Sequence, residues 1–287
     1  MSGDEILVGY DASADATVAL HWALAEAEHS GRPVRLAYVF EWVTVAGWVG
    51  PGVAPGIWPD ETARRHVKEL VDKAAADAAA AARPTVTVHG EVFDGPPALV
   101  LEERSAEAGL LVLGTRGHGG FGGLLAGSTA VSVTAHAHCP VVVVRDGDAS
   151  ASRTGRVVVG VDGSATSLLA LGFAVERAAQ RGVPLHVVRA WEPSADRGVG
   201  GDDAVAAERA ALDEPLAWWR ETFPDVAVTV DVVTGRPAGA LVEASRDAQL
   251  VVVGSRGWGG LRGMLLGSVG QQLIHHAHCP VAVVRER

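Results

Sequence analysis

Two stretches of this chain carry the same chemistry-bearing residues at the same spacing. Gly114-Thr115-Arg116-Gly117 is followed after nine residues by Gly127-Ser128, and Gly254-Ser255-Arg256-Gly257 after nine residues by Gly267-Ser268. Glycine lets backbone N–H groups approach a ligand closely and permits positive φ. Successive amides of this kind make a nest for oxygen anions, and a helix N-terminus beside them adds partial positive charge. The chemistry indicated is phosphate binding, in two copies. Ser128 and Ser268 add a hydroxyl donor at a helix start. His118, Gly119, Gly120 and Thr129 extend the first set, and Trp258, Gly259, Gly260 and Val269 the second. Arg116 and Arg256 have two open roles, as charge for a phosphate or as surface cations that are solvated or paired with acids.

A second constellation recurs in step with the first. Val8-Gly9-Tyr10-Asp11-Ala12-Ser13 and Val159-Gly160-Val161-Asp162-Gly163-Ser164 each close an apolar run. In an open α/β sheet, ligands bind beyond the carboxyl ends of the strands, where the strand order reverses. Asp11 and Asp162 belong at that edge, where a carboxylate accepts hydrogen bonds from an amino group or a sugar hydroxyl; the plainer role is to cap the following helix. Their pairing with a glycine loop, twice, favours ligand contact.

The elements that position these residues alternate along the chain. Strands are expected at 6–8, 34–40, 86–88, 110–113 and 141–144, then at 157–159, 185–189, 226–233, 250–253 and 281–284. Helical patterns fill 13–30, 60–83, 97–108 and 128–137, then 164–181, 202–222, 237–247 and 268–277. Apolar strands separated by helices imply a parallel sheet covered on both faces, wound by right-handed crossovers. Ser13, Ser164, Ser128 and Ser268 suit positions at or near helix N-caps, and Gly31 and Gly182 suit C-caps. Aligned without gaps, residues 110–145 and 250–285 are identical at 20 of 36 positions, so the chain is an internal duplication. The boundaries expected are 1–146 for a first domain, 147–155 for a linker and 156–287 for a second domain.

Composition narrows the function further. The 287 residues carry a net charge of −10, and Lys68 and Lys73 are the two lysines. Without clustered cations the chain is a poor binder of nucleic acid or of anionic membrane surfaces. No secretory signal and no apolar run near the ~20 residues of a membrane span is visible, so a cytoplasmic location is expected. Cys139 and Cys279 occupy the same register of Ala-His-Cys-Pro-Val and read as small core residues. The neighbouring histidines miss zinc spacings and suit helix C-termini instead. Trp22, Trp218 and Trp219 are expected to pack on the sheet. No Walker-type lysine loop and no serine-hydrolase elbow is present, and His118 as a general base is disfavoured because Trp258 takes its place in the second copy.

The glycine spacing, Gly-x2-Gly-x9-Gly-Ser, together with the aspartate after strand one, resembles the nucleotide-binding branch of the universal stress protein family in its tandem form. The resemblance spans essentially the whole chain. It implies two five-stranded doubly wound parallel-sheet domains in the order 3-2-1-4-5, each with one ATP site, with or without magnesium. Asp11 and Asp162 would contact adenine or ribose, Val39 and Ala190 would touch the adenine, and Gly9 and Gly160 would let the base lie against strand one. The last strands would pair across a pseudo-twofold axis, making an intramolecular pseudo-dimer with scope for a homodimer. The function implied is nucleotide-dependent regulation of a stress response through a protein partner the sequence does not name. The competing class is a slow ATPase or a nucleotidyl- or phosphotransferase using the same loops. Ala190 offers the base less apolar area than Val39, so the second site is expected to be the weaker. The Trp-rich stretch 41–59 is expected to act as a nucleotide-responsive lid.

Overall fold

The computed structural model describes residues 3–41, 61–117, 127–145, 155–191, 202–257 and 266–286. The first half contains β1 (Ile6–Gly9), α1 (Ala14–Ser30), β2 (Val34–Phe40), α2 (Glu61–Ala81), β3 (Val88–Asp94), α3 (Pro97–Ser105), β4 (Leu110–Gly114), α4 (Ser128–His136) and β5 (Val141–Val144). The second contains β6 (Arg156–Gly160), α5 (Ala165–Arg181), β7 (Leu185–Trp191), α6 (Asp202–Ala210), α7 (Asp213–Thr222), β8 (Val228–Thr234), α8 (Pro237–Ala244), β9 (Ala248–Gly254), α9 (Ser268–His276) and β10 (Val281–Val284). All ten strands form one sheet in the order β3-β2-β1-β4-β5-β10-β9-β6-β7-β8. Within each half the strands are parallel, and β1 and β6 lie between strands on either side of the reversal in order.

Apolar runs make this sheet because helices cover both of its faces. One layer packs α1, α2, α5 and α7 on the strands through Leu20, Ala23, Val71, Leu171, Leu212 and Leu216. The other packs α3, α4, α8 and α9 through Leu101, Val133, Leu241 and Leu273. Ser13 and Ser164 cap α1 and α5 by accepting from Ala16 and Ser167 amides, and Gly31 and Gly182 end those helices in the left-handed region, at φ 71° and 63°. Cys139 and Cys279 are buried thiols leading into β5 and β10.

Gly127 and Gly267 are the N-caps of α4 and α9, so Ser128 and Ser268, expected at or near the cap, are the first helical residues. Other expectations need correction. The helix expected over 202–222 breaks at Ala211 and Leu212. Pro215 has no amide to bond back to Ala211; Leu212 bonds to Arg209 instead and is buried. The third strand runs well past Val88, to Asp94. Trp22 and Trp219 pack on the core, but Trp218 is 58% exposed.

The halves join where β5 meets β10 antiparallel, Val142 opposite Ala282 and Val141 and Val143 opposite Val283 and Val281. Val142 and Ala282 are matching positions of the duplication, so a pseudo-twofold axis passes between them. The carboxyl edge of one half therefore faces the opposite way from that of the other. Among the described residues no helix is long and apolar enough to cross a membrane. His118, Gly119, Gly120, Trp258, Gly259 and Gly260, the linker at 147–154 and the Trp-rich stretch 42–59 lie outside the described residues.

Candidate functional site

At the carboxyl edge of the second half, the ends of β6, β7 and β9 and the first turn of α9 enclose a cavity of about 400 Å³. That volume falls within the usual range for small-molecule sites. The duplicated motifs meet here: Gly160, Asp162, Ala190, Gly254, Arg256, Gly257, Gly267, Ser268 and Val269 all line it. Ser255 is buried beneath, its N–H donating to Val284 and its carbonyl accepting from Gly267 N at 2.8 Å. That clamp ties Ser255 to the N-cap of α9 and uses the Gly267 amide. The amides remaining at the mouth are those of the first helical turn, Ser268 and Val269, which have no intrahelical acceptor.

Asp162 does two things at once. Its Oδ1 accepts from Ser164 N at 2.9 Å and from Ser164 Oγ at 2.6 Å. Its Oδ2 points at Gly257, so closely that a Cβ there would land on it. Asp11 repeats this, with Oδ1 accepting from Ser13 N at 3.0 Å and Oδ2 against Gly117. Each aspartate thus orders its turn and faces its glycine loop. The turn itself is tight: Gly163 has φ 87°, and in the first half Ala12 adopts φ 65°, a conformation costing a non-glycine residue on the order of 1 kcal/mol.

At Gly9 and Gly160 the space a side chain would take is filled by packing. A Cβ at Gly9 would meet Leu113 at 2.5 Å, and one at Gly160 would meet Leu241 at 2.7 Å. Leu241, Pro237, Val188 and Val253 complete the apolar wall of the cavity. Their one signal in the sequence is the repeat, since Pro97 and Leu101 match Pro237 and Leu241 before the fourth strand of each half.

The halves differ beneath the loop. In the first, the buried Asp15 carboxylate accepts from Thr115 Oγ1 at 2.5 Å and from Arg116 N at 2.9 Å, and lies 3.4 Å from Arg116 Nε. Arg116 is therefore partly committed to an acid, one of the two roles left open for it. In the second half Thr166 stands in Asp15's place and donates its hydroxyl to the Arg256 carbonyl. Among the described residues no carboxylate lies within ion-pair distance of Arg256. Asp15 was invisible in sequence because its partner lies about a hundred residues away; the available signal was an acid in the first turn of a helix beside a predicted glycine loop. At the end of β2, burial and then the Asp11 charge push the Tyr38 phenol above its usual value. Val39, one residue on, packs with the layer that holds Leu101.

Comparison with known proteins gives one answer. The sequence model of the universal stress protein family matches residues 4–145 and again 154–285. A universal stress protein of Mycobacterium tuberculosis is 39% identical over 288 residues, 98% of this chain and 96% of its own. One from Mycolicibacterium smegmatis is 39% identical over 287 residues, 98% of this chain and 97% of its own. Among solved structures, a universal stress protein of Archaeoglobus fulgidus superposes with a TM-score of 0.71 at 20% identity, covering 99% of this chain and 97% of that one. The motifs, the fold and these likenesses agree: the chain belongs to the universal stress protein family, with two family units in tandem.

Proposed function

We propose that the protein binds ATP at the carboxyl edge of each half and acts as a nucleotide-dependent regulator in a stress response. One observation carries the reading: the cavity of about 400 Å³ in the second half gathers an acceptor carboxylate, an arginine, a glycine loop packed against that carboxylate, and a helix N-terminus. Asp162, Val188 and Ala190 would hold adenine and ribose. Arg256, Gly257 and Ser268 would hold the phosphates, whose charge suits the helix start. ATP would supply negative charge that draws the loop and the start of α9 together, so that occupancy changes the surface shown to a partner.

The affinities of the two sites should differ, in the order opposite to that expected from Ala190 and Val39. A buried carboxylate under the first loop already uses the Arg116 amide and repels phosphate, whereas Thr166 under the second does neither. The apolar area separating valine from alanine is worth at most about 1.6 kcal/mol when fully buried, comparable to one partly screened charge, and the carboxylate adds the loss of a donor. Equilibrium dialysis with ATP should approach two equivalents per chain, with the tighter one lost in Gly257→Glu and the weaker one in Gly117→Glu. ATP recovered after incubation with magnesium should be intact. Binding that neither glutamate weakens would refute the reading.

A further inference from the structure

The joint between the halves is symmetric in its strands and asymmetric in its helices. Arg145, at the end of β5, donates to the carbonyls of Ala277 at 3.0 Å and Ile274 at 2.7 Å, at the end of α9. Arg285, at the end of β10, donates to Thr134 at 2.7 Å and Ala135 at 2.8 Å, at the end of α4. With the matching strands, these contacts would fit any two halves related by a twofold axis, including two first halves or two second halves.

On the opposite face α1 meets α5, and there the symmetry ends. Glu26 and Arg177 occupy the same step of the two helices, each the thirteenth residue after its serine cap. They also meet each other: Arg177 Nε lies 2.5 Å from Glu26 Oε1, with side chains 4% and 1% exposed. Arg181 Nη2 donates to Glu26 Oε2 at 2.7 Å and sits over the Trp22 ring, while Arg177 sits over Phe173, the counterpart of Trp22. Arg181 is further held by Gln249 Oε1 at 2.9 Å. Burial lowers the Arg177 guanidinium and Arg32 and Arg181 add to that, while Glu26 opposes the shift, helped by the half-exposed Glu176 at 3.9 Å; Glu26 is the buried carboxylate of the set. In a dimer of identical halves, a residue on the axis faces its own copy and cannot be its own counter-ion. A buried charge left without a partner is among the most damaging single defects a fold can carry.

We propose that the α1–α5 contact is the selectivity element of the joint, admitting a first half against a second half and rejecting either half against its own kind. Two first halves would oppose Glu26 to Glu26; two second halves would crowd two copies of Arg177 and Arg181. The partner that each half fits is thus the other half of this chain, or that of a second copy.

Full-length charge-reversal variants test this. Glu26→Arg and Arg177→Glu should each lower the melting temperature by roughly 10 °C, as breaking a buried pair does. The combined exchange, E26R with R177E, should recover more than half of that loss. The decisive sample is E26R chain and R177E chain unfolded together and co-refolded. Only by exchanging halves can this mixture restore both pairs, so native mass spectrometry should show a one-to-one two-chain species absent from either variant refolded alone. The proposal is overturned if the combined variant is no more stable than the worse single one, or if the co-refolded mixture holds no more two-chain species than the separate samples.

Discussion

Asp15 and Thr166 hold equivalent positions under the two glycine loops and treat the loop differently. Asp15 accepts from the Arg116 amide, while Thr166 donates to the Arg256 carbonyl. The first loop therefore carries a negative charge where a ligand phosphate would need the opposite. A unit charge a few Å away in a well-screened site is worth ~1 kcal/mol, about fivefold in affinity. Asp15→Asn should tighten ATP binding to the first half by about that factor, and Thr166→Asp should weaken the second half by as much. Isothermal calorimetry at low and high salt is the check, since a Coulombic difference shrinks as salt is added. Equal affinities across both variants would mean that the acid beneath the loop is structural only.

The helices show a second divergence, this time in packing. On α5, Gly172 lies under Trp219 of α7, and an added Cβ would meet Cζ2 at 2.7 Å. In an open helix Gly→Ala stabilises by about 1 kcal/mol, whereas overpacking costs about 1–3 kcal/mol. Overpacking should win because the indole is also stacked on Phe223. Gly172→Ala should thus lower the melting temperature by a few degrees, with helical circular dichroism unchanged; a rise would show the ring is free to slide. The same helices separate what is local in the sequence from what is not. Apolar runs and serine caps identify the strands and the starts of α1 and α5, because those signals are local. The break between α6 and α7 turns on Pro215 and on Leu212 finding a buried seat, and only tertiary packing decides the second. The order of the strands rests on contacts as distant as Ile6 with Leu110, which no periodicity encodes; it came from resemblance. At the site, Asp11, Asp162 and the glycines were legible as repeated motifs, whereas Leu241 and Asp15 were not, since one looks like any core leucine and the other like any helix-start acid.

At the scale of the molecule, the seam should behave differently at its two kinds of contact. Along the antiparallel register Arg145 falls opposite Cys279 and Arg285 opposite Cys139, which sets the two arginines ~20 Å apart at strand rise. Each serves a separate set of helix-end carbonyls. Arg145→Met and Arg285→Met should each cost about 1–2 kcal/mol. Their effects should add within about 0.5 kcal/mol in denaturant titrations, as distant sites do; strong non-additivity would mean that the seam opens as one unit.

The antiparallel seam also sets the geometry of any message the protein sends. Because the two carboxyl edges point in opposite directions, whatever occupies one half is presented at one pole of the molecule and whatever occupies the other at the far pole. No group can be handed directly from one carboxyl edge to the other, and no single flap can shut both. A partner that docks at one pole reads one address and is blind to the second. If both halves bind nucleotide as proposed, the molecule would be a two-sided label with four readable states, and a binder would have to grip both ends to tell a half-filled chain from a full one.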